Sequence, residues 1–192
     1  MALTFDDGPD PRFTPLVLEA LATEGVQATF FVVGERAARH PDLVRRILRE
    51  GHALGSHSHR HPEPRSLGWG IVPDFVRGRR AVERAASQPV RLFRPPKGYA
   101  GRKEHVAMAA ARVEPWLWTI DVEDWQPGVT ADQIVAGAAG VEAGDVLLLH
   151  DAICGPLAPE ATDRTATVEA VPRLVALVRE RGLGFVTLPV AG

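Results

Sequence analysis

Ala2-Leu3-Thr4-Phe5-Asp6-Asp7-Gly8-Pro9 sets an apolar run directly against two adjacent carboxylates and a Gly-Pro breaker. A short apolar run that stops this way reads as a buried strand ending in a tight turn. Two neighbouring carboxylates at a buried strand end repel each other, and neither is stable there without a partner. A metal ion would remove the conflict by neutralising one acid and leaving the other free to act as a base. A polar turn capping a helix would use the same residues, so the rest of the chain has to decide between the two.

Outward from that turn, helical and strand patterns alternate. Thr14 and Pro15 suit an N-cap and first helical position, with Leu16, Val17, Leu18 and Leu21 as the apolar face before Gly25. Ala28 to Val33 is rich in β-branched and aromatic residues and reads as a strand. A helix follows from about Pro41 to Glu50, closed by Gly51, and then a short strand, Ala53 to Ser56. The Pro- and Gly-rich stretch His61 to Gly70 reads as a loop, and a helix is expected from about Pro73 to Ser87. Val90 to Phe93, Trp116 to Ile120, Asp145 to Leu149 and Phe185 to Leu188 supply four more strands. Helices are expected after Arg102, after a Thr130 cap, and over Thr165 to Arg181.

Seven strands alternating with helices call for parallel pairing through right-handed crossovers. No glycine-rich phosphate loop follows the first strand, which argues against a nucleotide-binding open sheet. The fold class expected is therefore α/β, a distorted, incomplete (β/α) barrel of about seven parallel strands.

The 192 residues suit one domain, 1–192. Hydrophobic content of 45% and charged content of 24% are ordinary for a globular chain, and a net charge of −2 gives no basis for nucleic acid or an anionic membrane as partner. The one cysteine, Cys154, excludes an intrachain disulfide framework. No signal-like segment opens the chain, and its apolar runs fall short of the ~20 residues of a membrane span. A complete chain would be cytoplasmic; one trimmed of a leader would be secreted or cell-wall-associated.

His57-Ser58-His59-Arg60-His61 places two histidines four apart, which on a helical turn puts both imidazoles on one face as a metal-ligand pair. A solvated histidine-rich loop would read the same way. Position favours the metal: Asp6 and Asp7, His57, Arg94, Asp121 and His150 each follow a different expected strand. In parallel barrels, catalytic residues gather on the loops after the strand C-termini, on one face. Taken singly, Arg94 and Asp121 also suit a structural ion pair, His150 a core histidine and Trp125 a core aromatic. Cys154 lacks an evident base to make it a reactive thiol.

Thr4-Phe5-Asp6-Asp7-Gly8-Pro9 and Gly55-Ser56-His57-Ser58-His59-Arg60-His61-Pro62 resemble the first two signatures of the polysaccharide deacetylases (carbohydrate esterase family four, the NodB homology domain). Arg94-Pro95-Pro96-Lys97-Gly98 resembles the third, Asp121-Val122-Glu123-Asp124-Trp125 the fourth, and Leu147-Leu148-Leu149-His150-Asp151 the fifth. The resemblance implies an incomplete βα barrel and removal of N-linked acetyl groups from an amino sugar or a peptidoglycan- or chitin-like glycan. An acetyl-ester or small-molecule amide hydrolase on the same scaffold, and an inactive carbohydrate-binding relative, are the alternatives.

By the same resemblance, Asp7, His57 and His61 hold one divalent metal, most often zinc, with cobalt, nickel or manganese as alternatives. Asp6 is the base, held ionised by Arg94. His150 is the acid that protonates the leaving amine, with Asp121 raising its pKa. Trp125 and Leu148 wall the acetyl pocket, and the backbone N–H of Lys97 supports the oxyanion. Lys97 stands where the family commonly carries an aromatic residue, so stacking is exchanged for a cation there. The loops Pro62 to Gly70 and Ala152 to Thr165 are expected to line the groove.

Overall fold

The computed structural model describes residues 1–63, 65–155 and 162–189. The first half runs β1 (Ala2–Asp6), α1 (Phe13–Glu24), β2 (Thr29–Val32), α2 (Gly34–Arg39), α3 (Pro41–Arg49), β3 (Ala53–Ser56) and α4 (Ile71–Ala86). The second runs β4 (Leu92–Phe93), α5 (Arg102–Ala111), β5 (Glu114–Pro115), β6 (Ile120–Asp121), α6 (Ala131–Gly137), β7 (Val146–His150) and α7 (Thr165–Glu180). The strands form one sheet in the order β5-β4-β3-β2-β1-β7-β6, with every neighbouring pair parallel.

That order explains why the barrel is incomplete. Its two edge strands, β5 and β6, are consecutive in the chain. The Trp116 N–H still donates to the Phe93 carbonyl (2.8 Å), and the Thr119 N–H already donates to Val146 (2.9 Å). Only Leu117 and Trp118 therefore cross the seam. The expected strand over Trp116 to Ile120 is therefore mostly the crossing itself: only Ile120 is in a strand, and the two short strands flank the span at Glu114–Pro115 and Ile120–Asp121.

Both sheet faces are buried, as parallel sheets require. Leu3, Phe5, Phe30, Val32, Leu147 and Leu149 point outward into the core formed with α1 and α7, where Leu18, Leu21 and Leu174 are fully buried. Thr4, Asp6, Leu148 and His150 alternate with them on β1 and β7 and face the barrel interior. Parallel pairing sets Asp6 level with His150, so both reach the C-terminal end of the barrel together.

The expected final strand, Phe185 to Leu188, does not join the sheet. It lies beside Met1 and Thr29, at strands that already have a neighbour on each side, and not at the edge strands β5 and β6. The tail instead crosses the opposite end of the barrel: the Val186 N–H donates to Met1 (3.1 Å) and the Leu188 N–H to the Thr29 hydroxyl (3.0 Å). Leu188 packs on Ala2, Phe31, Leu92 and Val146 and closes that end. α2 was not expected, because only Gly34 and Ala37 of its six residues are buried and it shows no apolar face. Thr14 does not cap α1; Asp10 accepts the N–H groups of Arg12 (2.8 Å) and Phe13 (3.1 Å) there. Thr130 does cap α6, in a reciprocal box with Gln133. Among the described residues, no helix is long and apolar enough to cross a membrane.

Candidate active site

Asp6 ends β1 and is almost wholly buried, so its charge needs a partner. Arg94, just past β4 and fully buried, supplies it: one guanidinium nitrogen donates to Asp6 Oδ1 (2.8 Å) and to Thr4 Oγ1 (2.8 Å). Its remaining nitrogens donate to the carbonyls of Trp116 (3.1 Å) and Leu117 (3.2 Å), and its face lies 4.2 Å from the Phe31 ring centroid. Arg94 therefore holds the Asp6 carboxylate and ties down the barrel seam at once. Its ion-pair partner is Asp6, not Asp121. Burial pushes the Asp6 carboxyl above its ordinary value, against the opposing pull of Arg94 and His150. A raised carboxylate is a stronger base.

Asp7 follows with φ 73°, in the left-handed region, and an oxygen of each acid lies near His57 Nε2, 3.7 Å for Asp6 Oδ2 and 3.5 Å for Asp7 Oδ1. Its Oδ2 accepts the Cys154 N–H (2.8 Å), while Oδ1 is buried with no hydrogen-bond partner. That oxygen lies 3.5 Å from His57 Nε2 and 3.3 Å from His61 Nε2. One donor atom from each of Asp7, His57 and His61 lies within 4.8 Å of the other two. The His57 Nδ1–H donates to the Arg94 carbonyl (2.6 Å), which turns the Nε2 lone pair toward Asp7. Burial, with His61 beside it, lowers the His57 pKa to about 3, so the ring is neutral as a ligand must be. An unsatisfied buried carboxylate oxygen between two imidazole nitrogens fits a divalent cation.

The histidines do not lie on a helical turn as the spacing suggested. Residues 57–61 are irregular, and Ser58 and His61 have φ of 64° and 52°. Helix neighbours hold this loop instead. The N–H groups of Gly34 and Glu35 donate to the carbonyls of Ser58 (2.9 Å) and His59 (3.0 Å), and Asp74 on α4 accepts the His59 N–H (3.0 Å). One turn on, Gly78 lies so close that a Cβ there would meet the Ser58 carbonyl carbon at 2.3 Å. Alanine favours a helix over glycine by about 1 kcal/mol, but overpacking against backbone costs about 1–3 kcal/mol. Gly78→Ala is therefore expected to lower stability and to weaken metal binding, measured by urea unfolding and by metal titration of the metal-free protein.

The acid beside His150 is Asp124, which corrects the expectation for Asp121. The His150 Nδ1–H donates to Asp124 Oδ1 (2.7 Å), and the His150 backbone N–H to Oδ2 (2.8 Å). Thr167 donates to the same carboxylate (2.8 Å), and Arg164 to the Asp124 carbonyl (2.6 Å). Asp121 is exposed at the cavity mouth, and its Oδ1 accepts the Glu123 N–H (2.8 Å). Both acids lie in one short motif, and spacing alone could not say which turns inward. Burial works against the imidazolium, but the charge and hydrogen bond of Asp124, with Asp7 and Asp6 beyond, bring His150 up to about 9. Asp124→Asn removes the charge that favours the protonated ring, so the His150 pKa should fall, by about 1–3 units. Titration of the ring by NMR measures it; an unchanged value would show that Asp124 does not tune this histidine.

These groups surround a cavity of about 490 Å³. Lys97, Trp125 and Leu148 line it as expected, as do Glu63, Ile153 and Cys154 from the two loops expected to border the groove. Residues 64 and 156–161 of those loops lie outside the described residues. Trp118, which crosses the seam, is a further wall that sequence reasoning missed. Burial raises the Cys154 thiol well above its ordinary value, so it is no nucleophile. Its part in the site is the backbone N–H that aims Asp7.

Comparison with known proteins places these features in context. The polysaccharide deacetylase family model matches residues 1–115. A peptidoglycan-N-acetylglucosamine deacetylase of Bacillus cereus is 36% identical over 98% of this chain and 85% of its own length. A chitooligosaccharide deacetylase of Sinorhizobium fredii is 39% identical over 97% and 89%. The solved structure of a family 4 acetyl xylan esterase from Clostridium thermocellum, in complex with a cobalt ion, superposes with a TM-score of 0.83. It is 30% identical and covers 97% of this chain and 86% of that one.

Proposed function

The chain belongs to the polysaccharide deacetylase family, and from that premise we propose that residues 1–192 form one catalytic domain that removes N-acetyl groups from a glycan of the peptidoglycan or chitin kind. The observation that carries this reading is the partnerless Asp7 Oδ1 facing two histidine nitrogens, beside an arginine-held Asp6.

Asp7, His57 and His61 would hold one divalent ion, and two imidazoles with one carboxylate suit zinc, with cobalt, nickel or manganese as substitutes. When bound, the ion polarises the acetyl carbonyl and makes water easier to deprotonate. Asp6, steered by Arg94, takes the proton of the attacking water. The C–O bond forms first as the carbonyl π electrons move to oxygen; the carbonyl then re-forms as the C–N bond breaks, and His150 gives its own Nε2 proton to the departing nitrogen while Asp124 grips Nδ1. The Lys97 N–H supports the oxyanion, and Trp125, Trp118 and Leu148 exclude water around the acetyl methyl. Asp121, at the mouth, contacts substrate rather than His150.

An acid that stays protonated up to about pH 9 suits an amine leaving group, which must gain a proton to depart. An acetyl ester makes less demand on such an acid, so the amide reading is favoured. The test compares acetate release from N-acetylated chitooligosaccharide and peptidoglycan with that from acetylated xylan. Release from the xylan alone would reverse the assignment.

A further inference from the structure

Two surface segments that each include a residue lining the cavity are joined by three contacts, like rungs. Lys97 donates to both oxygens of Glu63 (2.7 and 2.6 Å) where the two residues line the cavity. Next, Arg65 donates to the Tyr99 hydroxyl (2.8 Å) and holds its guanidinium 5.3 Å from that ring's centroid. In the third rung the Lys103 ammonium lies 5.7 Å from the ring of Trp69, which is 58% exposed. Each rung joins residues the same 34 positions apart in sequence, so the segments stay in step.

The strip has an unusual make-up for this molecule. Residues 63–69 and 97–105 carry four cations, Arg65, Lys97, Arg102 and Lys103, against Glu63 and Glu104, a surplus of two in a chain of net charge −2. An exposed indole backed by an ammonium offers a flat apolar face and a positive edge together. An exposed indole on a segment that borders a cavity is suited to a ligand that extends beyond that cavity. Its continuity with the cavity fixes which ligand it meets: the rest of the chain whose acetylated sugar occupies that cavity.

We propose that this strip binds the continuation of an anionic glycan strand, with Trp69 and Tyr99 as sugar-stacking faces and Arg65 and Lys103 as carboxylate partners. The proposal rests on the deacetylase reading for the sugar in the cavity, and it adds that carboxylate-bearing strands are preferred over neutral ones of equal length.

Co-sedimentation separates the two. The protein as it stands is mixed with purified peptidoglycan sacculi, which carry carboxylates, or with chitin particles, which are neutral. The Arg65→Ser/Lys103→Ser variant should lose about tenfold in affinity for sacculi, from two exposed charge contacts. Its binding to chitin should change less than about twofold, and added salt should abolish the difference for sacculi. Trp69→Ala should weaken binding to both. The charge-deleted variant binding sacculi as the parent does would overturn the proposal, as would an equal loss on chitin. Acetate release from a di-N-acetylated disaccharide, which carries no carboxylate, reports the deacetylase reading separately. The binding results decide the strip whatever that assay shows.

Discussion

Replacing Asp6 by asparagine is expected to lower kcat by about 100- to 10,000-fold while the protein keeps its full complement of metal. The neighbouring substitution, Asp7→Ala, is expected to lose metal and rate together. The two acids are one residue apart, yet the structure gives them different tasks. Asp6 Oδ1 is engaged by Arg94, whereas Asp7 Oδ1 is buried, unpaired and within 3.5 Å of two imidazole nitrogens. Asparagine at position 6 keeps the shape and one acceptor oxygen but cannot take a proton at neutral pH. Alanine at position 7 leaves two imidazoles with no carboxylate to complete the ligand set, and a carboxylate contributes strongly to divalent-cation affinity. Metal content by elemental analysis and acetate release, measured on the same preparations, separate the roles. An Asp6→Asn protein without metal beside an Asp7→Ala protein that keeps it would reverse them.

The second large effect concerns stability. Arg94→Met keeps the length and apolar stem of the side chain but removes every hydrogen bond the guanidinium makes. Asp6 is then buried without a counter-charge, and the Trp116 and Leu117 carbonyls at the seam lose their donors. Breaking a buried pair from one side costs about 3–5 kcal/mol, so the urea midpoint of the metal-free variant should fall sharply. The sign with pH follows from Asp6. Its pKa is raised in the folded protein by burial, and Arg94 is the largest force holding it down. Without Arg94 it rises further above the unfolded value. The variant then keeps its stability below the unfolded pKa and loses it as pH climbs through the raised folded one. The gap from the parent should therefore narrow in acid and widen toward neutrality. A gap independent of pH would show that seam closure, and not the Asp6 charge, dominates. Arg94→Lys should fall between the two, since one ammonium can pair Asp6 but cannot span to both seam carbonyls.

The outline of this molecule was legible because its strands end in breakers and its helices show regular apolar faces. Ala2 to Asp6, with two acids and Gly-Pro behind it, became β1, and the amphipathic stretch after Thr165 became α7. What stayed hidden depended on the sheet as a whole. Nothing local in Trp116 to Ile120 reveals that the chain passes there from one edge of the sheet to the other, so a strand was read over what is mostly the crossing between β5 and β6. Phe185 to Leu188 has strand composition, but a strand needs a free edge, and it lies beside Met1 and Thr29, at strands that already have a neighbour on each side.

The site shows the same division. The residues at strand ends were found, since topology delivers them to one face whatever the loops do. Loop conformation was not, and it decided two points. His57 and His61 converge through left-handed turns at Ser58 and His61, not through a helical turn. Within Asp121-Val122-Glu123-Asp124, a positive φ of 54° at Glu123 helps turn Asp124 toward His150 and leaves Asp121 at the mouth. The Cys154 N–H that positions Asp7 carries no sequence signal, because a backbone donor is common to all residues but proline.

The most direct test of the central claim is acetate release by metal-stripped protein during titration with zinc. The substrate is an N-acetylated chitooligosaccharide, and metal content is measured on each sample. The account predicts no release after a strong chelator, and recovery that saturates at about one ion per chain, as a single three-ligand site requires. Undiminished release from protein verified to be free of metal would contradict it.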